Sequence, residues 1–179
     1  MISKEYERKQ VLSKENFDEC LLRLSSIYSC EEIIQINYYY DDEHLSLYKN
    51  GETLRIRQVG TKLTLETKKH KQYIGNIRVS DESSESITEL PMNISMPYIE
   101  AVYIGNMLTI RKNYLLEGCT ISLDHCFYLG FVDYEIEVET VNTNEGFSIL
   151  DGIVSFTSNT RGKYTRFVDK LKDMKNEFL

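Results

Sequence analysis

Tryptophan is absent from this sequence, proline occurs twice, and the four cysteines form no C-x-x-C pair. No apolar stretch approaches the ~20 residues that a membrane-spanning helix needs. The first residues, Met-Ile-Ser-Lys-Glu, do not resemble a secretory signal. Spacings typical of a structural zinc site or a disulfide framework are also missing. We therefore expect a cytoplasmic protein with reduced thiols and no membrane association.

Negative charge exceeds positive charge, since 28 Asp and Glu residues against 21 Lys and Arg give a formal net charge of -7. A general nucleic-acid binder usually needs a basic surface to displace counterions, so we expect no nucleic-acid partner. The length of 179 residues fits one domain over residues 1–179, and no repeat or linker divides it.

Seven short segments alternate polar and apolar residues, which is typical of β-strands with two unlike faces, and an aromatic-rich run indicates an eighth. Their spacing predicts a mostly antiparallel sheet. The segments are 5–9, 36–40, 54–57, 63–68, 76–79, 108–111, 120–124 and 133–139.

Helix signals interrupt this series at four points. We expect a helix capped by Ser13, a short helix after Pro97 over residues 98–104, a third over 144–156, and a C-terminal helix from about Lys163. The polar stretch 80–93 predicts a solvated loop.

The charged residues of the strands are sorted by sign, whereas a surface built for solubility mixes signs within each strand. The acidic set is Glu5, Glu7, Asp124, Glu135, Glu137 and Glu139, and the basic set is Arg55, Arg57, Lys68, Arg78 and Arg111. On a half-exposed sheet these rows would simply face solvent. If the helices cover the apolar faces and the sheet closes, the charged rows instead point into a barrel, which with about eight strands holds one small ligand.

A charged barrel interior requires charged ligands, because burying like-signed groups without a counter-charge costs several kcal/mol per ion. Carboxylate oxygens favour hard divalent cations, and arginines bind the oxygens of linked phosphates bidentately. A metal and a polyphosphate in one cavity would suit phosphoryl transfer by positioning and charge neutralisation.

Six motifs, in order along nearly the whole chain, resemble those of the CYTH domain, also called the triphosphate tunnel metalloenzyme superfamily. The first matches its N-terminal E-x-E-x-K signature. The motifs are Glu5-Tyr6-Glu7-Arg8-Lys9; Tyr39-Tyr40-Asp41-Asp42; Leu54-Arg55-Ile56-Arg57; Gly105 to Thr109 with Arg111; Ser122-Leu123-Asp124 followed by Asp133-Tyr134-Glu135-Ile136-Glu137; and Gly162-Lys163-Tyr164-Thr165-Arg166-Phe167.

The resemblance implies an α+β fold, an eight-stranded antiparallel tunnel flanked by helices, which binds a small-molecule triphosphate with Mg²⁺ or Mn²⁺ and usually hydrolyses it. The implied metal ligands are Glu5, Glu7, Asp124, Glu135 and Glu137. The implied phosphate contacts are Lys9, Arg55, Arg57, Lys68, Arg78, Arg111 and Lys163, and the implied catalytic residues are Glu5, Glu7 and Lys9. Glu139 continues the acidic face beyond the matching pair, so we expect it behind the metal ligands.

Two positions depart from the family pattern. The strand that commonly reads L-T-L-K has Glu66 at the lysine, and Lys68, ~7 Å further along the same face, is the expected substitute. Glu66 would neutralise a neighbouring arginine or change which triphosphate fits. Gly162 stands at the usual serine.

Several functions stay open at this point. Inorganic tripolyphosphate is the favoured substrate, because the sequence shows no clear aromatic slot for a base, and thiamine triphosphate and nucleoside triphosphates are the alternatives. An adenylate cyclase of the same fold is the rival enzyme. A non-catalytic polyphosphate- or nucleotide-binding module is the rival of another class. The sequence favours neither a monomer nor a homodimer.

Overall fold

Nine strands and three helices make up the part of the chain that the computed structural model describes, residues 2–75, 77–140 and 160–177. In chain order the elements are β1 (Ile2–Leu12), α1 (Lys14–Ile27), β2 (Cys30–Asp41), α2 (Ser46–Lys49), β3 (Glu52–Val59), β4 (Lys62–Ile74), β5 (Ile77–Ile87), β6 (Asn93–Met96), β7 (Ile99–Leu116), β8 (Cys119–Tyr128), β9 (Phe131–Thr140) and α3 (Lys163–Glu177).

The strands form a closed antiparallel barrel. Eight of them follow one another in the order β2-β3-β4-β5-β1-β9-β8-β7, and β7 pairs with β2 to close the ring. The short β6 adds to the free side of β7 outside the ring. The predicted eight-stranded antiparallel barrel with flanking helices is therefore confirmed, with one extra strand.

The outer face of the barrel is apolar and is partly covered by α1. Ser13 caps this helix by accepting a hydrogen bond from the Asn16 amide at 3.2 Å. Phe17 and Leu24 of α1 pack on strand residues that include Ile121 and Val138. Because strand side chains alternate, the residues between these apolar ones point into the barrel interior, here called the bore.

Helix α3 packs against one end of the bore. Its buried residues Phe167 and Val168 contact Tyr39 and Met107, which lie on the inward faces of β2 and β7. The backbone of Gly105 comes so close that a Cβ there would lie 2.6 Å from the Phe167 ring. Gly105 also has φ of +142°, a conformation that favours glycine, so this position fixes how deeply α3 enters.

Two predictions of secondary structure are wrong. Residues 99–104 of the expected helix over 98–104 lie in β7, because their backbone pairs on one side with β6 and on the other with Tyr40 and Asp41 of β2. The expected loop over 80–93 is strand up to Ile87, since β5 pairs with both β1 and β4 and turns every second polar side chain, such as Ser80 and Glu82, inward. In both places pairing with neighbouring strands overrides the local sequence preference.

The helices predicted at Ser13 and at Lys163 are confirmed. The helix predicted over 144–156 falls outside the described residues. Within the described part of the chain, every helix is too short or too polar to span a bilayer.

Candidate active site

The bore contains a cavity of about 240 Å³ that is lined almost entirely by charged and polar side chains. Ten of the twelve predicted site residues line it: Glu5, Glu7, Lys9, Arg55, Arg57, Lys68, Arg78, Arg111, Glu137 and Lys163. The other two, Asp124 and Glu135, are fully buried and contact Lys163. The acidic and basic rows thus meet across one enclosed space and do not lie on separate outer patches.

Three buried carboxylates, Asp124, Glu135 and Glu137, form what we call the acidic trio. Each offers an oxygen that lies within 4.8 Å of the others, which is the spacing expected of ligands sharing one cation. β8 and β9 place them side by side, because Asp124 and Glu135 are cross-strand partners. The Lys163 Nζ lies 2.7 Å from Asp124, 2.5 Å from Glu135 and 2.8 Å from Glu137.

Arg111 also contacts the trio. Its Nε and Nη2 each donate to Asp124 at 2.7 Å, a bidentate pair, and Nη2 also donates to Glu137. Burial alone would lower the pKa of Lys163, but the trio raises it well above its usual value. Burial would likewise raise the pKa of Glu137, yet Lys163, Lys9 and Arg111 hold it well below its usual value. Burial would also raise the pKa of Asp124, but Arg111 and Lys163 lower it, whereas burial raises the pKa of Glu135. Asp124 and Glu137 are therefore the carboxylates of the trio that protein cations hold ionised.

A second group of carboxylates comes from β1. Glu7 is 1% exposed, and its Oε1 has no hydrogen-bond partner among the described residues, while Oε2 lies 3.0 Å from Lys9 Nζ. Burial would raise the pKa of Glu7, but Lys9 and Lys68 lower it to about 2. Burial and the nearby charge of Glu7 raise the pKa of Glu5 to about 8. The two carboxyls of one strand thus differ in protonation at neutral pH.

Lys68 forms ion pairs with both of these carboxyls. It contacts Glu5, lies 3.5 Å from Glu7 Oε1, and lies 2.9 Å from Glu82 on β5. Glu82 was missed because it fell within the predicted loop 80–93. The signal was present, since Arg78, Ser80 and Glu82 continue the same alternation.

Lys9 lies between the two acidic groups, 3.0 Å from both Glu7 and Glu137. Burial alone would lower its pKa, but Glu137 and Glu7 raise it above its ordinary value. In this arrangement Lys9 is a cation and not a proton acceptor. That favours the phosphate-binding role over a role as general base.

The opposite side of the bore carries Arg55 and Arg57 of β3, here called the arginine wall. Glu66, the cross-strand partner of Arg55, accepts a hydrogen bond from Arg55 Nε at 2.7 Å and lies 3.5 Å from Arg57 Nη1. Glu66 therefore neutralises part of the wall, as one reading of the sequence expected. Burial and the neighbouring charges of Arg55 and Arg111 lower the pKa of Arg57 to about 10.

The glycine at the usual serine position gives room to Arg78. A Cβ on Gly162 would lie 2.8 Å from Arg78 Nη1, so a larger residue there would push the guanidinium aside. The same Nη1 lies 3.6 Å from Glu7 Oε1. Gly162 thus allows Arg78 to lie between β1 and the start of α3.

Comparison with known protein families gives one extended match. The family model of the CYTH domain matches residues 3–170, which is most of the chain. The chain belongs to the CYTH domain family. This confirms the resemblance that the six motifs indicated.

CYTH relatives cover the chain nearly from end to end. YjbK from Bacillus subtilis carries a provisional name as a triphosphatase. It is 28% identical over 182 residues, which cover 93% of this chain and 95% of YjbK. A Bacillus halodurans crystal structure, described provisionally as an adenylate cyclase, is 26% identical, with 93% and 98% of the chains covered and a TM-score of 0.73.

A solved structure from Hippeastrum shows the same fold at lower identity. HpAC1 from Hippeastrum, described as an adenylyl cyclase candidate with dominant triphosphatase activity, is 21% identical. The match covers 93% of this chain and 96% of that one with a TM-score of 0.77. The two chains therefore share the architecture of the barrel at 21% identity.

Proposed function

We propose that this CYTH protein is a metal-dependent hydrolase of the phosphoanhydride bond of a triphosphate. The observation that carries the proposal is the cavity itself, in which carboxylates suited to a divalent cation face guanidinium and ammonium groups suited to phosphate oxygens. The triphosphatase name of YjbK and the activity described for HpAC1 support the same reaction class.

Inorganic tripolyphosphate is the proposed substrate. The cavity of about 240 Å³ is smaller than the ~300–1,000 Å³ typical of pockets that enclose drug-sized ligands. A compact chain of phosphates suits this volume better than a whole nucleotide, whose base and ribose would lie outside. The polar lining likewise offers phosphate oxygens many donors.

The proposed metal ligands are Glu5, Glu7 and the acidic trio, with Mg²⁺ or Mn²⁺ as the ion. Their donors are all carboxylate oxygens, which hard divalent ions prefer. The buried Glu7 Oε1, which lacks a hydrogen-bond partner among the described residues, also fits a cation ligand. When bound, the ion would offset charge on the phosphoryl oxygens and lower the pKa of a coordinated water.

The cations of the bore would hold the phosphate chain. We assign this role to the arginine wall and to Lys9, Lys68, Arg78, Arg111 and Lys163. Their charge would stabilise the leaving diphosphate, whose negative charge grows as the bond breaks. Ion pairs within the bore already order most of these side chains before substrate binds.

We also propose that residues 1–179 act as one domain that works in the cytoplasm on a small molecule. All four cysteines are free, as expected of a reducing compartment. The net charge of -7 opposes a nucleic-acid partner.

A phosphate-release screen tests the proposal. The purified protein is given tripolyphosphate, pyrophosphate, ATP or thiamine triphosphate, each with Mg²⁺ or Mn²⁺. We expect metal-dependent orthophosphate release that is fastest from tripolyphosphate and is lost in Arg57→Gln. Arg23→Gln, which removes the same charge from the exposed side of α1, is the matched control and should retain activity. Tight binding of tripolyphosphate without turnover would make the protein a binding module.

An adenylate cyclase is the second candidate, because the Bacillus halodurans relative carries that description. A cyclase would use the ribose hydroxyl of ATP as nucleophile and release pyrophosphate. Cyclic AMP plus pyrophosphate from ATP would therefore establish cyclisation. Orthophosphate as the product would establish hydrolysis.

A further inference from the structure

The ammonium group of Lys163 lies at the centre of the acidic trio. Its Nζ is 2.5 to 2.8 Å from an oxygen of each of the three carboxylates. Among the described residues, the trio is the group whose oxygens have the mutual spacing of metal ligands. A protein cation thus already occupies the point toward which these oxygens converge.

A divalent ion would bind the same oxygens at ~2.0–2.6 Å, close to the distances that Nζ now makes. The ion and the ammonium therefore compete for one position. Two cations this close in a buried site repel each other strongly. Arg111 and Lys163 already compensate much of the charge of the trio, so adding an ion without removing Lys163 would leave excess positive charge.

Lys163 is able to leave without unfolding the site. It is the first residue of α3, and its flexible four-carbon stem also borders the cavity. The neighbouring Tyr164 is anchored independently, since its hydroxyl donates to the buried Asp41 at 2.6 Å. The Lys163 side chain can therefore swing into the cavity while the backbone of α3 stays in place.

We propose that Lys163 is a tethered counter-ion, which holds the metal position of the acidic trio until a divalent ion displaces it into the cavity. There its ammonium meets the phosphate chain beside Lys9 and Arg111. The inference rests on the proposed metal site and adds a regulatory role for Lys163. Because displacement frees a phosphate-binding group, metal and triphosphate bind with positive coupling, and each raises the affinity for the other by the same factor.

Binding of Mn²⁺ to the protein without triphosphate tests this exchange. The wild type, Lys163→Met and Lys170→Met are titrated with Mn²⁺ alone, by calorimetry and by electron paramagnetic resonance. Methionine keeps an unbranched side chain of nearly the same length and removes the competing charge. Lys170, on the same helix, lies over the Phe131 ring outside the bore and is the matched control. We expect Lys163→Met to bind Mn²⁺ at least about tenfold more tightly, and Lys170→Met to match the wild type.

Each outcome decides the inference. Equal or weaker Mn²⁺ binding by Lys163→Met overturns the counter-ion role, even if the wild type hydrolyses tripolyphosphate normally. Tighter binding by Lys163→Met supports it, even if no triphosphate is hydrolysed and the proposed activity fails. If neither protein binds Mn²⁺ at millimolar concentration, the inference and the proposed metal site both fail.

The wild type offers a second measurement that does not depend on the folding of Lys163→Met. In a protein labelled with ¹⁵N-lysine, a buried and ion-paired ammonium gives its own ¹H–¹⁵N signal, which Lys163→Arg identifies by its loss. Addition of diamagnetic Mg²⁺ should shift this signal or remove it through faster proton exchange. An unchanged signal at saturating Mg²⁺ would overturn the exchange.

Discussion

Glu66 Oε2 accepts a hydrogen bond from Arg55 Nε at 2.7 Å, and the other oxygen of the same carboxylate lies 3.5 Å from Arg57 Nη1. One carboxylate thus bridges both members of the arginine wall, in the way that two oxygens of a phosphate would. Glu66 lines the same cavity as the two arginines. It is therefore an internal anion that lowers the charge offered to an incoming polyphosphate.

Replacing Glu66 with glutamine should strengthen tripolyphosphate binding. Removing one negative charge beside two partly buried arginines is expected to tighten Kd about tenfold, a change of ~1.4 kcal/mol. The gain should be smaller for pyrophosphate, which carries fewer charges. Calorimetric titration at two salt concentrations measures both effects. Glu85→Gln, the same change at an exposed site on β5, is the control, and equal affinities in the two variants would contradict the role of Glu66.

Glu7→Gln should fold normally and lose activity. The amide retains the size of the side chain but removes the charge of a proposed metal ligand. We expect metal-dependent turnover to fall at least ~100-fold, the scale of a lost transition-state electrostatic contact. Initial rates at limiting Mg²⁺, with a thermal melt to verify folding, measure this. Near-normal turnover would contradict the role, and Glu19→Gln on the exposed side of α1 serves as the control.

The metal-free protein should lose stability as the pH rises from about 5 to 8. Burial, with the charge of Glu7, raises the folded-state pKa of Glu5 to about 8 from 4.5. Between these values the unfolded chain releases a proton that the folded protein retains, so ionisation favours unfolding. The contribution of Glu5 to the free energy of unfolding is complete below pH 4.5 and is lost as the pH passes 8.

Glu5→Gln isolates that contribution. The variant cannot ionise at this position, so its free energy of unfolding should fall less than that of the wild type between pH 5.5 and pH 8. We expect the difference to be ~1–3 kcal/mol, because the Glu5 side chain is partly in contact with water. Urea unfolding in the presence of a chelator measures both proteins at both pH values. Identical pH slopes for the wild type and the variant would show that Glu5 ionises normally.

Tyr164→Phe should weaken the anchor of α3. The Tyr164 hydroxyl donates to Asp41 at 2.6 Å, and Asp41 is fully buried. Loss of a buried hydrogen bond to a charged acceptor is expected to cost ~1.5–3 kcal/mol of unfolding free energy. Tyr98→Phe removes a similar bond, to Glu52, from the exposed surface and should cost much less. Equal losses in urea unfolding would argue against an anchoring role.

The barrel was largely predictable from the sequence because a closed sheet with a charged interior and an apolar exterior imposes strict alternation on every strand. All eight predicted segments fall on the eight strands of the ring, apart from residue 76, which lies outside the described residues. The meeting of the two charged rows followed from the same alternation once closure was assumed. The family match then accounts for the order of the motifs.

The errors arose where local signals carry no information about the partner strand. Pro97 suggested a helix start, yet the following residues pair with β2 and β6. In β5 the apolar alternation is interrupted after Val79, because Glu82 and Ser84 line the cavity while the outward-facing Asp81 and Glu85 are polar as well. The spacing of residues in the sequence did not show that the Lys163 ammonium contacts the acidic trio. This contact depends on how deeply α3 enters the barrel.

Pairing of β1 with β9, the two strands of the ring that lie farthest apart in the chain, also governs when the site can exist during biosynthesis. Before this seam forms, β1 and β9 lie at opposite edges of an open sheet, so Glu7 and the acidic trio are far apart. Pairing such distant segments is slow compared with forming hairpins. Lys163 leaves the ribosome later still. The full set of proposed metal and phosphate ligands is therefore assembled only after α3 has been synthesised and the last pair of strands has formed.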